Sequence, residues 1–251
     1  MEENYLLISD DGPGFHTIEG EGRLLGTPSI FMRLFGCNLT CKGWSSPDSP
    51  NGCDSYISWS KKNKYTFDEM FGFYERQGFI EKLKRGDVWK ITGGEPTLRQ
   101  DPLLAFVRAF QEKYQFQPRI DFETNATLPF KEDWVSKEFN VSFTTSPKFS
   151  SNGDPENRTY NPDVLNFHIK QNSCFKFVIN DHQKDIEELF RKYIDSDQVK
   201  VPKHLIWLMP CAGSRQEHIE RAAGVAELAK TFGFNFSARL HLCLWDKALK
   251  V

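Results

Sequence analysis

The sequence predicts an α/β fold in which a parallel β-sheet curls into an incomplete barrel of the TIM type. Short runs rich in β-branched and aromatic residues alternate with segments of helical periodicity, and repeated strand–helix units are typical of parallel sheets. The length of 251 residues is ordinary for one α/β barrel domain. Because about six or seven strands are predicted rather than the eight of a closed barrel, we expect a partial barrel formed by a single domain, residues 1–251.

Seven segments have the length and composition of β-strands. They are residues 29–34, 88–92, 119–123, 141–144, 174–179, 204–209 and 236–240. Amphipathic periodicity predicts helices between several of them, most clearly over residues 68–83, 102–114, 184–194 and 215–232. Ligands of such barrels bind at the carboxyl ends of the strands, so the residues found there are the candidates for function.

Polar and glycine-rich residues follow five of the predicted strands. These groups are Cys37 after the first strand, then residues 92–96, 123–125, 146–148 and 209–211. In a parallel sheet such ends meet at one edge, so together they outline one site. Since Gly, Pro, Asn and Ser also dominate turns, each group taken alone could be only a turn.

The pair Gly93 and Gly94 has a specific physical use at the end of its strand. Without a Cβ, the backbone N–H and C=O groups can approach a ligand closely. Glu95 then offers a carboxylate to an ammonium group, and Pro96 stops the strand.

Cys37, Cys41 and Cys53 form an early cysteine group, with three and then eleven residues between them. A structural zinc site needs four closed ligands, and the one nearby histidine, His16, precedes the strand that leads to Cys37. Three thiolates suit a 4Fe–4S cluster whose fourth iron stays open to chelate a small molecule. An incomplete zinc site and three unrelated loop thiols remain alternatives.

Composition and charge exclude several classes of protein. A formal net charge of −2 argues against a general nucleic-acid-binding face, and no run approaches the roughly 20 apolar residues of a membrane span. Cys174, Cys211 and Cys243 are scattered, so the six cysteines form no disulfide framework, and these three read as small buried hydrophobes. The first residues lack the pattern of a signal peptide, and we expect a soluble, cytoplasmic protein.

The motifs in their order resemble the radical S-adenosylmethionine (SAM) superfamily and, more narrowly, its 7-carboxy-7-deazaguanine synthase family. The resemblance runs from about residue 15 to the end of the sequence. It is carried by residues 18–22 (Ile-Glu-Gly-Glu-Gly), 26–28, 31–41, 91–96, 146–148 and 239–241, and by Trp245.

The resemblance implies a carbon–nitrogen lyase of 7-deazapurine (queuosine-type) biosynthesis. The family contracts the ring of 6-carboxy-5,6,7,8-tetrahydropterin with loss of ammonia, giving 7-carboxy-7-deazaguanine. An electron from the 4Fe–4S cluster cleaves SAM to a radical that takes a hydrogen atom from the pterin, while the protein orients the substrate and excludes water. The family also implies Mg²⁺, a homodimer and an external electron donor such as flavodoxin.

The resemblance assigns roles to residues of this chain, and none is assigned as catalytic beyond the cluster ligands and the binding residues. Cys37, Cys41 and Cys53 would hold the cluster. SAM would be bound by Gly94, Glu95, Thr124, Asn125, Ser146, Pro147, Lys148, Met209 and Pro210. The pterin would be bound by Ile18, Glu19, Gly20, Arg33, Thr92 and His241.

The role of Arg33 has an alternative, and so does that of Ser55, which the resemblance implies as a Mg²⁺ ligand. Arg33 suits the substrate carboxylate because a guanidinium can pair with it in a bidentate fashion, although it could instead face solvent. Ser55 would offer Mg²⁺ a hard oxygen ligand beside that carboxylate. Asp48 or Asp54 could take this role instead, and Ser55 could simply be a turn residue.

The sequence departs from the family pattern in two places. The cluster loop is the segment from Cys37 to Cys53. Residues 43–52 are an insertion in this loop that displaces the third cysteine to Cys53, and Trp44 stands where the family has that cysteine. Glu19 replaces the usual glutamine, and because an ionised carboxylate only accepts hydrogen bonds, recognition of the pterin edge could differ. Another radical SAM enzyme, such as an activase that generates a glycyl radical on a partner protein, and a non-catalytic zinc-binding scaffold are the rival functions.

Overall fold

Strands and helices alternate through the part of the chain that the computed structural model describes, residues 4–9, 12–45, 52–53 and 55–248. The strands are β1 Tyr5–Ile8, β2 Phe15–Ile18, β3 Pro28–Leu34, β4 Asn63–Thr66, β5 Val88–Gly93, β6 Arg119–Thr124, β7 Asn140–Thr145, β8 Cys174–Ile179, β9 Ile206–Pro210 and β10 Asn235–Phe236. The helices are α1 Tyr56–Trp59, α2 Phe67–Arg76, α3 Phe79–Lys84, α4 Gln100–Tyr114, α5 Glu156–Thr159, α6 Pro162–Lys170, α7 His182–Leu189, α8 Arg215–Phe232 and α9 Leu240–Trp245.

All of these strands belong to one sheet, in the order β10-β9-β8-β7-β6-β5-β3-β1-β4, with β2 also paired to β3. The strands from β10 to β3 are parallel, whereas β1, β2 and β4 pair antiparallel. Within the described residues the end strands β4 and β10 do not pair, so the sheet stays open. The predicted α/β fold with a partial barrel is confirmed.

Most predicted elements coincide with observed ones, and the differences have physical causes. The strand predicted over residues 236–240 is wrong: β10 ends at Phe236 and α9 begins at Leu240. The chain leaves the sheet at Ser237, whose N–H donates to the Leu208 carbonyl (2.8 Å) and whose hydroxyl accepts from the Gly22 N–H (2.7 Å).

Two predicted helices are interrupted, and three strands were not predicted. The helix predicted over residues 68–83 is split into α2 and α3 at Gly78, which has φ 64°. The helix predicted over residues 184–194 ends at Leu189 and continues as a π-helical turn, Phe190–Ile194. The short antiparallel strands β1, β2 and β4 were missed. Among the described residues, no helix is long and apolar enough to cross a bilayer.

Side chains of the parallel strands alternate between the helical layer and the barrel interior, as the period of two in a strand requires. In β5, Trp89 and Ile91 belong to the apolar core between sheet and helices. Lys90 and Thr92 point the other way, because Lys90 contacts the interior residue Glu19 and Thr92 lines the cavity at the strand ends. The outer layer is therefore aromatic and aliphatic, and the barrel interior is polar.

The outer core on one half of the sheet is built around Tyr74 and Trp89. The Trp89 ring lies 5.7 Å from the Tyr74 ring and 4.7 Å from that of Phe110. The Trp89 indole N–H donates to the Tyr74 hydroxyl (3.1 Å), which in turn donates to the Pro13 carbonyl (3.1 Å). Both polar groups of these large side chains are thus satisfied inside the core. A second apolar core packs α6, α7 and α8 against β8 and β9.

The side chain of Lys90 lies at the bottom of the barrel interior and is only 1% exposed. Its ammonium lies 2.8 Å from Asp121 Oδ2 on β6, 3.0 Å from Glu19 Oε2 in the loop after β2 and 3.6 Å from Glu123 Oε2. Burial alone would lower the pKa of Lys90, but Asp121, Glu19 and Glu123 raise it well above the usual value. Lys90 therefore stays charged and ties three parts of the fold together.

Tyr74→Phe should lower the free energy of unfolding by about 1–3 kcal/mol, since it leaves the buried Trp89 N–H and Pro13 carbonyl without their partner. Urea unfolding followed by tryptophan fluorescence measures the change. Tyr65→Phe, at a half-buried position in β4, is the matched control and should have little effect. Equal, small losses in both variants would contradict the role given to the Tyr74 hydroxyl.

Lys90→Met should cost about 3–5 kcal/mol at pH 7, because it leaves buried carboxylates without their cation. The pKa of Glu19 is already raised by its burial despite Lys90, and a group with a raised folded pKa loses stability as pH rises through that pKa. The deficit of Lys90→Met should therefore shrink as pH falls from 7 towards 5. Lys84→Met, at an exposed pair with Glu81, should cost less than about 1 kcal/mol at both pH values.

Candidate active site

A cavity of about 580 Å³ lies at the carboxyl ends of the parallel strands. Its walls come from the loop after β2, the strand ends of β3 and β5 to β9, and the C-terminal segment that includes α9. The volume is within the range of about 300–1,000 Å³ typical of small-molecule sites. The structure thus brings the separate strand ends to one place.

Most residues singled out in the sequence line this cavity, and a few do not. The lining residues among them are Ile18, Glu19, Gly20, Arg33, Cys37, Cys41, Cys53, Ser55, Thr92, Gly94, Thr124, Asn125, Ser146, Lys148, Met209 and His241. Glu95, Pro147 and Pro210 lie next to lining residues but are not part of the wall. Asp48 and Asp54 fall outside the described residues.

The three cysteines of the early group lie on the cavity wall. Cys41 is buried in a left-handed backbone conformation (φ 50°, ψ 34°), while Cys37 and Cys53 are half-buried. Burial raises the pKa of the Cys37 thiol to about 12, with Glu95, Cys41 and Cys53 adding to the rise. A thiolate in such a place needs a strong positive charge beside it, which bound iron would supply.

Three cysteine thiols are the donor set that a 4Fe–4S cluster would use. No group of three His, Cys, Asp or Glu side chains among the described residues is placed to bind one metal ion. In a 4Fe–4S cluster each cysteine binds a different iron, so the sulfurs need not converge on one point.

Of the other cysteines, Cys174 is buried as expected. Cys211 is half-buried on the cavity wall and Cys243 is exposed, so for these two the expectation of small buried hydrophobes is wrong.

The glycine turn after β5 presses directly against the start of the cluster loop. A Cβ on Gly94 would lie 1.9 Å from the Gly36 carbonyl oxygen and 2.8 Å from Cys37 Cβ, and the Glu95 N–H donates to the same carbonyl (2.8 Å). Only glycine allows this approach at residue 94. The turn therefore fixes the position of Cys37 relative to the ends of the strands.

The Glu95 carboxylate is 1% exposed and accepts hydrogen bonds from groups near the ends of β5 and β6. It accepts hydrogen bonds from the Thr97 hydroxyl (2.6 Å), the Thr124 hydroxyl (2.9 Å) and the Asn125 N–H (2.7 Å). Burial raises the pKa of Glu95, although these donors oppose the rise. Glu95 thus orders Thr124 and Asn125 on the cavity wall.

Arg33 faces the cavity and not bulk solvent. Its guanidinium lies 5.7 Å from the centre of the Phe15 ring and 5.9 Å from that of Phe31, and its Nη1 donates to the Ser55 hydroxyl (3.3 Å). Ser55 precedes α1 but makes no side-chain capping bond there. The alternative that Arg33 is a solvent-facing residue is therefore not supported.

A second layer of charged residues lies above Lys90, nearer to the cavity. Lys176 on β8 contacts Glu21 and Glu123 (2.5 Å each), and Arg239 contacts Glu21 (2.8 Å). Burial alone would raise the pKa of Glu21, but Lys176 and Arg239 hold it well below its usual value. Glu21, Glu123, Lys176 and Arg239 all line the cavity, so its inner wall carries fixed charges of both signs.

The two lysines of this interior were missed by the sequence reasoning. Lys90 and Lys176 each occupy the third position of a strand whose residues are all buried. A cation within an apolar strand was the available signal, because a buried charge requires partners. Glu21, Glu123 and Arg239 belong to the recognised motifs but were given no role of their own.

The comparisons with known proteins agree on one family. No protein-family model matches the sequence. The chain is 29% identical to the 7-carboxy-7-deazaguanine synthase of Halobacterium salinarum over 95% of this chain and 93% of that protein. It is 28% identical to that of Hyperthermus butylicus over 91% and 89%, and 32% identical to that of Rickettsia prowazekii over 69% and 65%.

A solved structure supports the fold independently. The crystal structure of QueE from Escherichia coli superposes with a TM-score of 0.59 at 22% identity, covering 95% of this chain and 96% of that chain. Two of the relatives match over more than nine-tenths of this chain, which confirms the resemblance found in the sequence. The chain is therefore similar, over nearly its whole length, to 7-carboxy-7-deazaguanine synthases.

Proposed function

We propose that this protein is a radical SAM lyase that converts 6-carboxy-5,6,7,8-tetrahydropterin to 7-carboxy-7-deazaguanine with loss of ammonia, in queuosine-type biosynthesis. The observation that carries the proposal is one cavity in which the cysteine group, the Gly93–Gly94 turn and Arg33 meet. Two relatives named 7-carboxy-7-deazaguanine synthase match this chain over 93% and 89% of their own length.

Cys37, Cys41 and Cys53 would hold the 4Fe–4S cluster, and SAM would lie beside it. When bound, the cluster and SAM supply the electron and the radical that removes a hydrogen atom from the substrate. The missing Cβ of Gly94 allows the turn after β5 to pack closely against Gly36 and Cys37. Thr124, Asn125, Ser146, Lys148 and Met209 line the same wall as candidate SAM contacts.

The substrate would bind on the opposite side, between Arg33 and the charged interior. Arg33 offers a guanidinium to the pterin carboxylate. Glu19 Oε1 accepts the Glu21 N–H (3.1 Å) and its Oε2 lies 3.0 Å from Lys90, so Lys90 holds the Glu19 carboxyl at the edge of the cavity. His241 is fixed over the loop after β2, where a Cβ on Gly20 would lie 2.3 Å from His241 Nδ1.

The contribution of the protein is to orient the substrate in a preorganised polar field. Lys176 is buried, yet Glu123 and Glu21 raise its pKa, so its Nζ keeps its proton. The charges of the inner wall are therefore in place before the substrate arrives.

Further features of the proposal follow the family. Residues 43–52 enlarge the cluster loop of a single domain, the protein works in the cytoplasm as a homodimer, and a donor such as flavodoxin supplies electrons. Mg²⁺ would bind beside the substrate carboxylate. Ser55 supports this placement because its hydroxyl lies on the cavity wall, 3.3 Å from Arg33 Nη1.

Anaerobic reconstitution with iron and sulfide, followed by turnover with reductant, SAM and the carboxypterin, should yield 7-carboxy-7-deazaguanine and ammonia. Cys37→Ala, Cys41→Ala and Cys53→Ala should lose most bound iron and all turnover, while Cys243→Ala, at an exposed cysteine, should keep both. An iron-loaded protein that cleaves SAM but leaves the pterin unchanged would point to another radical SAM enzyme, such as an activase. A colourless protein with stoichiometric zinc would point to a scaffold.

Ser55→Ala should abolish the stimulation of turnover by Mg²⁺, because the variant loses one hard oxygen ligand. Turnover is measured across a Mg²⁺ titration, with iron content and substrate-free SAM cleavage as controls for an intact site. Ser60→Ala, at an exposed serine after α1, should respond like wild type. If Ser55→Ala also did, Ser55 would not be a magnesium ligand, and Asp48 and Asp54 would become the candidates.

A further inference from the structure

The segment that follows β7, residues 149–154, packs directly on the cluster loop. A Cβ on Gly43 would lie 2.2 Å from the Ser151 carbonyl oxygen and 2.7 Å from the Asn152 carbonyl carbon. The two backbones therefore touch, and only a glycine at residue 43 permits this contact. Whatever fixes residues 149–154 also fixes the loop that carries Cys41.

Asp154 holds the backbone on the N-terminal side of Cys41. Its Oδ2 accepts the N–H of Cys41 (2.8 Å) and that of Thr40 (3.0 Å), and its Oδ1 accepts the Thr40 hydroxyl (3.1 Å). A carboxylate makes stronger hydrogen bonds than a neutral acceptor. These bonds secure Cys41 in its left-handed conformation, which an L-residue other than glycine adopts at a cost.

Asn152 reaches the cysteine side chain itself. Its amide Nδ2 donates to Cys41 Sγ (3.6 Å) and to Asp154 Oδ2 (3.2 Å), while its Oδ1 accepts the Asp154 N–H (2.9 Å). Asn152 is fully buried. A buried amide that donates to a sulfur bound to iron stabilises negative charge on that sulfur.

Helix α7 supports the segment from behind. Glu188 accepts the Ser150 N–H (3.0 Å) and the Ser150 hydroxyl (2.6 Å), and it pairs with Lys192 (2.6 Å). Both Glu188 and Lys192 are buried. The contacts therefore form a continuous path from a helix of the barrel wall to Cys41.

We propose that Asn152 and Asp154 are positioning residues for the iron–sulfur cluster: Asp154 sets the backbone of Cys41, and the Asn152 amide tunes the reduction potential through Cys41 Sγ. The inference rests on the proposed function in that Cys41 binds iron. Because the reduced cluster carries more negative charge on its sulfurs, an N–H donor favours reduction and raises the potential.

The first test compares iron retention. Asp154→Asn keeps the shape of the side chain but removes the charge that holds the two N–H groups. Its reconstituted cluster should release iron to a chelator faster than wild type. Asp163→Asn, an exposed aspartate in α6, is the matched control and should release iron at the wild-type rate. Equal rates in all three proteins would overturn the role of Asp154.

The second test measures the reduction potential by a redox titration followed by electron paramagnetic resonance, without substrate. Asn152→Ser keeps an oxygen that can accept the Asp154 N–H from two residues away, but its side chain is too short to reach Cys41. The cluster of Asn152→Ser should have a more negative potential than wild type at equal iron content. Asn166→Ser, at a half-buried asparagine in α6, should leave the potential unchanged.

The other outcomes of these tests also support or overturn the roles given to Asn152 and Asp154. A full cluster with an unchanged potential in Asn152→Ser would overturn the role of the amide. If Asn152→Ser loses iron while the unfolding midpoint of its iron-free form is unchanged, the result supports Asn152 as a positioning residue. If Asn152→Ser loses iron and that midpoint is also lowered, the positioning role is overturned and Asn152 is a residue of the fold. Wild-type protein that binds no iron under these conditions would count against the proposed function, and so the two failures are distinguishable.

Discussion

The ion cluster around Lys90 is the constraint on which the rest of the structure depends. A parallel sheet that curls into a barrel turns every second side chain inward, and in this chain several of those side chains are charged. Lys90 meets Asp121 on β6, Glu19 in the loop after β2 and Glu123 at the end of β6. Because charges cannot be buried without partners, these contacts fix how strands and loop meet beneath the cavity.

Above this floor, the carboxyl ends of the strands are tied to one another by short polar links. Glu95 joins the end of β5 to Thr124 and Asn125 at the end of β6, and Gly94 lets the same turn press on the start of the cluster loop. The side of the cavity next to Cys37 is therefore held by hydrogen bonds and close backbone contacts. The inner wall is held by ion pairs, in which Lys176 and Arg239 both contact Glu21.

The sequence predicted the parallel half of the fold well because those strands are buried and read as apolar runs between helices. It failed where tertiary contacts decide. β1, β2 and β4 are only four residues long, and Ser237 leaves the sheet because its hydroxyl meets the Gly22 N–H. Most of the cavity wall could be named from motifs, since they follow strands. Lys90 and Lys176 belong to no motif, and their only signal was a cation within an apolar strand. Asn152 and Asp154 could not be predicted because Cys41, which both contact, lies far away in sequence.

The close contacts of Gly43 and Gly52 affect how freely the length of the chain between them can vary. A Cβ on Gly52 would lie 2.3 Å from the Cys41 carbonyl oxygen, so the two ends of the enlarged loop meet beside that cysteine. Extending a loop whose ends are already joined costs little, about 0.6 kcal/mol for each doubling of its length. The stretch between these two glycines can thus change in length and composition at little cost in free energy while the backbone around Cys41 stays in place.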